Sequence, residues 1–517
     1  MTVFRSPYPD VEVGGATVHE FVLALAAQDA EKPALIDGPT GRVMTYGALA
    51  AGVRQVAAGV AGRGLHKGDV FALWLPNVPE WPLAALGVMA AGGVITAANP
   101  LYTSDELARQ LGAAQARFLL TIPPFLERAL PAARLAGLEE VFVLGEAPGA
   151  TAFATLLQHS HPIPLVQIDP ERDLAILPFS SGTTGLPKGV MITHSAMVTN
   201  IRQIAATAMF CREDIHLGFL PFFHAIGQVV VLYTGLRLGA TVVTMPRFEL
   251  ETFLETIQRY RITAVVAVPP VMLALAKHPM VATYDLTSLR MAGSGGAPLG
   301  AEVQEAVQQR LGCDAVVQGW GMTELAAAGT LSDLAAVRLG ACGKLVPNTE
   351  ARVVDAVGGT DLSHSQTGEV WIRGPQMMTG YLGNPDATAH TIDSDGWLHT
   401  GDLGYFDAEG NLFIVDRLKE LIKVKGYQVP PAELEALLAT HPAVADVAVI
   451  GLQDAESGEV PVAYVVPRGA LDPERLMAWV AKRVAPYKRL HRVTVTEQIP
   501  RAPTGKILRR VLAEREK

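Results

Sequence analysis

The sequence predicts an α/β protein. It has a large multi-subdomain N-terminal body of mixed, mostly parallel sheets packed with helices, and a small α+β unit follows. Three observations carry this. Short apolar runs closed by proline or asparagine alternate with amphipathic stretches through the first half, the pattern of βαβ units. From about Glu350 the style changes to glycine-punctuated strands, EARVVD, GEVWIRG and NLFIVD. The segment after the charged stretch Asp416–Glu420 then reads as a unit with its own helices and strands. The 517 residues are 49% hydrophobic and 18% charged, enough to bury a sizeable core and incompatible with overall disorder.

The elements follow in order. Tyr46 opens a helix with Leu49, Val53, Val56 and Val60 on one face. Val70 to Leu75 reads as a strand stopped by Pro76 and Asn77, and a second helical stretch follows Pro82. Val94 to Ala98, Phe118 to Thr121 and Val141 to Leu144 are strands. Leu174 to Phe179 leads into a polar loop as a strand, and Val190 to Thr193 leads out as another. The alternation resumes with Ala240 to Thr244, a helix from Leu250, and Ala264 to Val268. In the last unit Pro431 starts a helix, Val444 to Ile450 and Val460 to Val466 are strands, and Asp472-Pro473 is an N-cap with proline at the first helical position. The predicted division is 1–416 and 417–517.

The balance of 42 Lys+Arg against 51 Asp+Glu gives a net charge of −9, so no global basic field exists to hold DNA or RNA. Any bound anion must be held locally. Cys211, Cys313 and Cys342 form no CxxC pair, which argues against a zinc site or disulfide scaffold and fits a reducing compartment. The N-terminal MTVFRSPYPDVEV lacks the apolar core of a signal peptide. The long uncharged stretch Trp81–Ser104 contains Pro82 and Pro100 and reads as a buried helix and strand rather than a membrane span. A cytoplasmic protein without stable membrane insertion is expected.

The chemistry concentrates in loops. SSGTTGLPKG, from Ser180 to Gly189, combines small residues, hydroxyls and Lys188, a composition that lets backbone N–H groups approach a polyphosphate. A Walker A loop needs Gly-x4-Gly-Lys-Ser/Thr and leads into a helix; this segment does neither. A solvated turn is the plain alternative. His224 in LPFFHAIG reads equally as a satisfied core histidine, Glu324 as a helix-start glutamate and Asp402 as a buried turn cap.

SSGTTGLPKG closely resembles the phosphate loop of the adenylate-forming superfamily of acyl- and aryl-CoA synthetases, luciferases and peptide-synthetase adenylation domains. GSGGAPL (293–299), QGWGMTE (318–324), TGD (400–402), DRLKELIKVKGYQVPPAELE (416–435) and TGKILRR (504–510) match it in order, most nearly in the 4-coumarate–CoA ligase group. The resemblance implies that Ser180, Ser181, Gly182, Thr183, Thr184 and Lys188 hold the β- and γ-phosphates of ATP. It places Gly296, Gln318, Gly319 and Thr323 among the nucleotide contacts, Trp320 against adenine, and Glu324 with Thr184 at Mg²⁺. Asp402 and Arg417 are to meet the ribose. Lys506 is the adenylation lysine, able to bind the carboxylate and the α-phosphate together. Lys419 is the hinge of a mobile cap. Lys423, Lys425, Gly426 and Gln428 are counted with the cofactor contacts, although DRLKELIKVKG also reads as a solvated charge run. His224 lies beside the acyl carboxylate. Arg247 departs from the lysine of the plant ligases that contacts a coenzyme A phosphate, and arginine keeps the charge with altered geometry.

The function implied is an ATP-dependent acid–CoA ligase acting through acyl-AMP, with ATP, Mg²⁺ and coenzyme A required. By register, Ala225, Ile226, Gly296, Ala327, Ala328 and Gly329 line the acyl pocket. Ile226 stands where plant ligases carry a tyrosine, so the expected acid is hydrophobic, either cinnamate-like or a medium-chain fatty acid. A luciferase-like adenylating oxygenase, a carrier-protein-loading adenylating enzyme and, more remotely, a P-loop NTPase are the rival classes. The expected assembly is a monomer or homodimer.

Overall fold

The computed structural model describes residues 2–158, 166–180, 187–313, 315–425, 427–454, 457–502 and 505–516. Among them, a first nine-stranded sheet has a parallel centre of Leu174–Ile176, Val94–Ala97, Val70–Leu73, Ala116–Thr121, Glu140–Val143 and Thr151–Ala152. Its other edge is antiparallel, made by Lys188–Thr193 with Phe179–Ser180 and Gly380–Tyr381. A second nine-stranded sheet runs parallel from Ala315–Gly321 through Met291–Ser294, Ala264–Ala267, Ile215–Gly218 and Thr241–Thr244 to Pro33–Asp37. Antiparallel strands close both of its ends. The expected βαβ body of mostly parallel sheets is therefore present as two nine-stranded sheets.

Helices Tyr46–Gly62 and Glu80–Ala90 pack closely because glycines face side chains: a Cβ on Gly87 would lie 2.5 Å from Val56. Glu80–Ala90 begins before Pro82, not after it. Proline is tolerated there because first-turn N–H groups have no intrahelical acceptor. Trp81 to Met89 are all buried, as is the strand Val94–Ala97, so the uncharged stretch is core. Among the described residues no helix is long and apolar enough to cross a membrane. The segment read as one strand from Leu174 is two, Leu174–Ile176 and Phe179–Ser180. Both pieces pair with Lys188–Thr193, and between them the Pro178 carbonyl accepts from the Val190 N–H.

The glycine-punctuated region forms a five-stranded antiparallel sheet, Phe4–Arg5, Glu350–Val354, Gly368–Arg373, Leu398–Phe406 and Leu412–Arg417. Its last strand includes Arg417, one residue past the division expected from the sequence. The final segment builds another five-stranded sheet around Val444–Asp454 and Gly458–Pro467. Helices Pro431–Thr440 and Pro473–Ala481 supply Leu434, Leu438, Leu476 and Val480 to a core separate from that of the body. Asp472 caps the second helix as expected, accepting from the N–H groups of Glu474 and Arg475.

Strand Ala315–Gly321 carries the central site residues, and its end is set by a close backbone approach. A Cβ on Gly321 would lie 1.8 Å from the Ala327 carbonyl oxygen. Gly321→Ala is expected to lower stability by about 1–3 kcal/mol through overpacking. A thermal midpoint equal to the parent's would contradict that approach.

Candidate active site

The carboxyl ends of the parallel strands in the second sheet open into a cavity of about 710 Å³. The antiparallel sheet and the C-terminal domain close its other sides. Strand ends supply Gly293, Ser294, Gly296, Gln318, Gly319 and Trp320, and the turn Thr323–Leu325 supplies Thr323 and Glu324. Ser180 and Lys188 enter from the first sheet. Arg417 enters from the end of the strand Leu412–Arg417, Lys419 from the turn after it, and Lys506 from the C-terminal domain. Fold topology thus brings together side chains more than 300 positions apart.

Asp402 stands behind this wall and joins it. Its side chain is 5% exposed; Oδ1 accepts from Arg417 Nε at 2.9 Å and Oδ2 from Trp320 Nε1 at 2.8 Å. The indole is packed over Gly329, where a Cβ would lie 2.7 Å from the ring. Asp402 therefore orients the aromatic platform and the guanidinium at once, with one lone pair remaining on each oxygen. Gln318 lines the cavity, but its amide is committed: Nε2 donates to Leu299 O and Gln304 Oε1, and Oε1 accepts from the Leu299 N–H. That side chain fixes the loop carrying Gly296.

Glu324 is buried and its Oε1 accepts from the Tyr381 hydroxyl at 2.9 Å. Lys188 Nζ lies 4.7 Å from the centroid of the same tyrosine ring. Tyr381 was not anticipated from sequence, because a lone aromatic in TGYLG carries no chemical signal. Burial, followed by the Glu324 charge, raises its pKa and keeps it a donor. Among the described residues no group of three or more metal-ligating side chains stands together. A hard cation here fits one buried carboxylate completed by substrate phosphates and water.

Lys506 has its pKa lowered, first by burial and then by the nearby Arg417 cation, while Glu420 and Asp402 act in the opposite direction. Gly505, in the left-handed region, seats this loop against Val268 of the body. His224 lines the cavity together with Phe223, Ala225, Ile226 and Val230. Ala327 and Ala328 also line it, whereas Gly329 serves as the floor under Trp320.

The remaining expected contacts lie elsewhere. Arg247 has an 85% exposed side chain paired with Glu249. Lys423 and Gln428 face each other across the hairpin Ile422–Val424 and Tyr427–Val429, and both are exposed, as is Lys425 at the turn. None of the four lines the cavity in this domain arrangement. Ser181, Gly182, Thr183, Thr184 and Gly426 fall outside the described residues. The pairing of Phe179–Ser180 with Lys188–Gly189 is described, and it supplies the two strands expected on either side of residues 181–186.

A cavity lined by a nucleotide platform, a buried carboxylate and a lysine from a second domain defines an enzyme of the adenylate-forming type. The chain matches the model of the AMP-binding enzyme over residues 23–382 and that of the AMP-binding enzyme C-terminal domain over 433–506. It belongs to the AMP-binding enzyme family. It is 43% identical to 4-coumarate–CoA ligase 1 of Arabidopsis thaliana, covering 99% of this chain and 94% of that protein. It is 41% identical to 4-coumarate–CoA ligase of Pinus taeda, covering 99% and 97%. The crystal structure of the anthranilate CoA ligase AuaEII in complex with anthranoyl-AMP superposes with a TM-score of 0.90 at 25% identity, covering 98% of each chain.

Burial lowers the pKa of His224 from 6.5 to about 4. His194 is lowered likewise to about 4, chiefly by burial. Between these values the unfolded chain binds more protons than the folded one. The stability of the fold is therefore complete above pH 6.5 and declines as the pH falls toward 4. An NMR titration of the His224 ring should show a midpoint near 4; one near 6.5 would place the ring in open water.

Proposed function

We propose that this chain is an AMP-forming acid–CoA ligase for a hydrophobic carboxylic acid, either a cinnamate-like aryl acid or a medium-chain fatty acid. The observation that carries the reading is the meeting of Lys506, Arg417, Trp320, Glu324 and His224 around one cavity. The aryl side of the proposal is supported by the full-length similarity to coumarate ligases. Size and polarity support both acids: Met209, Ile226, Val230, Val266, Val317 and Leu331 form apolar lining at the acyl end.

In the first half-reaction a carboxylate oxygen of the acid attacks the α-phosphorus of ATP and pyrophosphate leaves. Trp320 offers a flat face to adenine, and Arg417 with the free lone pairs of Asp402 meets the ribose. Lys188 and the 180–189 loop take the β- and γ-phosphates. Glu324 would hold Mg²⁺, which would supply charge neutralisation on the phosphates. The Lys506 ammonium binds the carboxylate and α-phosphate oxygens as charge redistributes. His224, neutral because of its burial, accepts a weak 3.4 Å hydrogen bond from the Ile226 N–H at Nδ1, which leaves Nε2–H to donate to the acid.

In the second half-reaction the coenzyme A thiolate attacks the acyl carbonyl, the C–O bond to AMP breaks, and the thioester forms. A turn of the C-terminal domain about Lys419 would withdraw Lys506 and bring the exposed Lys423, Lys425 and Gln428 to the cavity. Their present distance from the cavity is consistent with the adenylating arrangement. The division of the chain near residue 417 follows from the same reading.

Lys506→Ala should abolish pyrophosphate release while leaving thioester formation from supplied acyl-AMP largely intact. Equal loss of both half-reactions would sink the two-state reading. A screen of aryl and fatty acids with ATP and coenzyme A, read as pyrophosphate release and thioester mass, identifies the acid. Ile226→Tyr should shift preference toward hydroxycinnamates, and an unchanged ranking would remove Ile226 from the acid's contacts.

A further inference from the structure

The helix Pro431–Thr440 of the C-terminal domain is held at both ends by side chains of the body. Its cap residue is Pro430, which offers no side-chain acceptor. Instead the Ala432 N–H donates to Asp416 Oδ2 at 2.9 Å, from the end of the strand Leu412–Arg417. At the other end Lys277 Nζ, the last residue of the helix Pro269–Lys277, donates to the Ala439 carbonyl at 2.6 Å. Between them the two domains approach closely: a Cβ on Gly300 would lie 3.6 Å from that of Ala436. A carboxylate at the N-terminus and an ammonium at the C-terminus each oppose the partial charge of that helix end and satisfy a backbone group the helix leaves free.

Asp416 and Lys277 precede Lys419 in the chain, whereas Ala432 and Ala439 follow it. Any turn about Lys419 that carries Lys506 out of the cavity also parts both contacts. From the geometry we propose that Asp416 and Lys277 form a two-point clamp that seats the C-terminal domain for adenylation, with Lys277 a positioning residue for Lys506. The proposal rests on the two-state reading above. Arg468 and His441 of the C-terminal domain face Lys277 as a cation and a titratable group. Cationic repulsion there opposes the clamp and keeps it releasable.

The test uses the full-length enzyme and measures both half-reactions separately: pyrophosphate release without coenzyme A, and thioester formation from acyl-AMP with coenzyme A. Lys277→Met keeps the stem and removes the donor. The ratio of adenylation to thioester rate should fall by about tenfold, the scale of one charge-assisted hydrogen bond. Asp416→Ala should move the ratio the same way, and Lys277→Arg should restore much of it. A parallel fall of both rates, or an unchanged ratio with a parent-like thermal midpoint, overturns the clamp. Lys506→Ala run alongside separates the failures. If that variant still adenylates, the two-state reading falls; if it does not and the Lys277→Met ratio is unchanged, only the clamp falls.

Discussion

The Asp402 carboxylate is the constraint on which the site depends. It ties the strand bearing Trp320 in the second sheet to the strand bearing Arg417 in the antiparallel sheet. A buried charge is costly unless paired, so the two donors and the carboxylate stabilise one another's positions. Removing one partner of a fully buried pair costs about 3–5 kcal/mol, and the cost here falls below that because the Arg417 side chain is 37% exposed and screened by solvent. Arg417 lies two residues before Lys419, so the same pair sets the direction in which the chain leaves the body for the C-terminal domain.

Two sets of interactions meet at that junction. One is internal to the C-terminal domain: Arg509 bridges Glu420 and Glu435, in contacts of 2.6 and 2.8 Å, and binds the segment after Lys419 to the helix and tail. The other crosses the junction through Asp416 and Lys277. In the proposed two-state reading, the first would let the domain turn as a unit and the second would set where it rests. Such an arrangement suits a cavity that serves two chemical steps in turn, because rigid domains with few crossing contacts change orientation without unfolding.

Much of this was legible in the sequence, for identifiable reasons. Strands such as Val70–Leu73 and Ala264–Ala267 are uninterrupted apolar runs, and burial on both faces leaves that pattern. The family was legible because its motifs, SSGTTGLPKG among them, pack glycine, hydroxyl and lysine in tight spacing. Contacts made by residues with ordinary roles elsewhere were not legible. Tyr381 reaches Glu324 from a strand beside the first sheet, and Lys277 reaches Ala439 across domains; neither has a local signature. Gln318 is expected as a nucleotide contact from its motif; it lines the cavity, and its amide is bonded to Leu299 and Gln304. Motif membership places a residue at a site without stating which way its side chain points.

The central claim is that a carboxylate oxygen of the acid substrate becomes bonded to the α-phosphorus in this cavity. The most direct measurement supplies an acid labelled with ¹⁸O in its carboxylate, together with ATP and coenzyme A, and weighs the nucleotide product by mass spectrometry. The account predicts AMP carrying one labelled oxygen, with pyrophosphate released. Unlabelled AMP, or ADP with phosphate in its place, would contradict it.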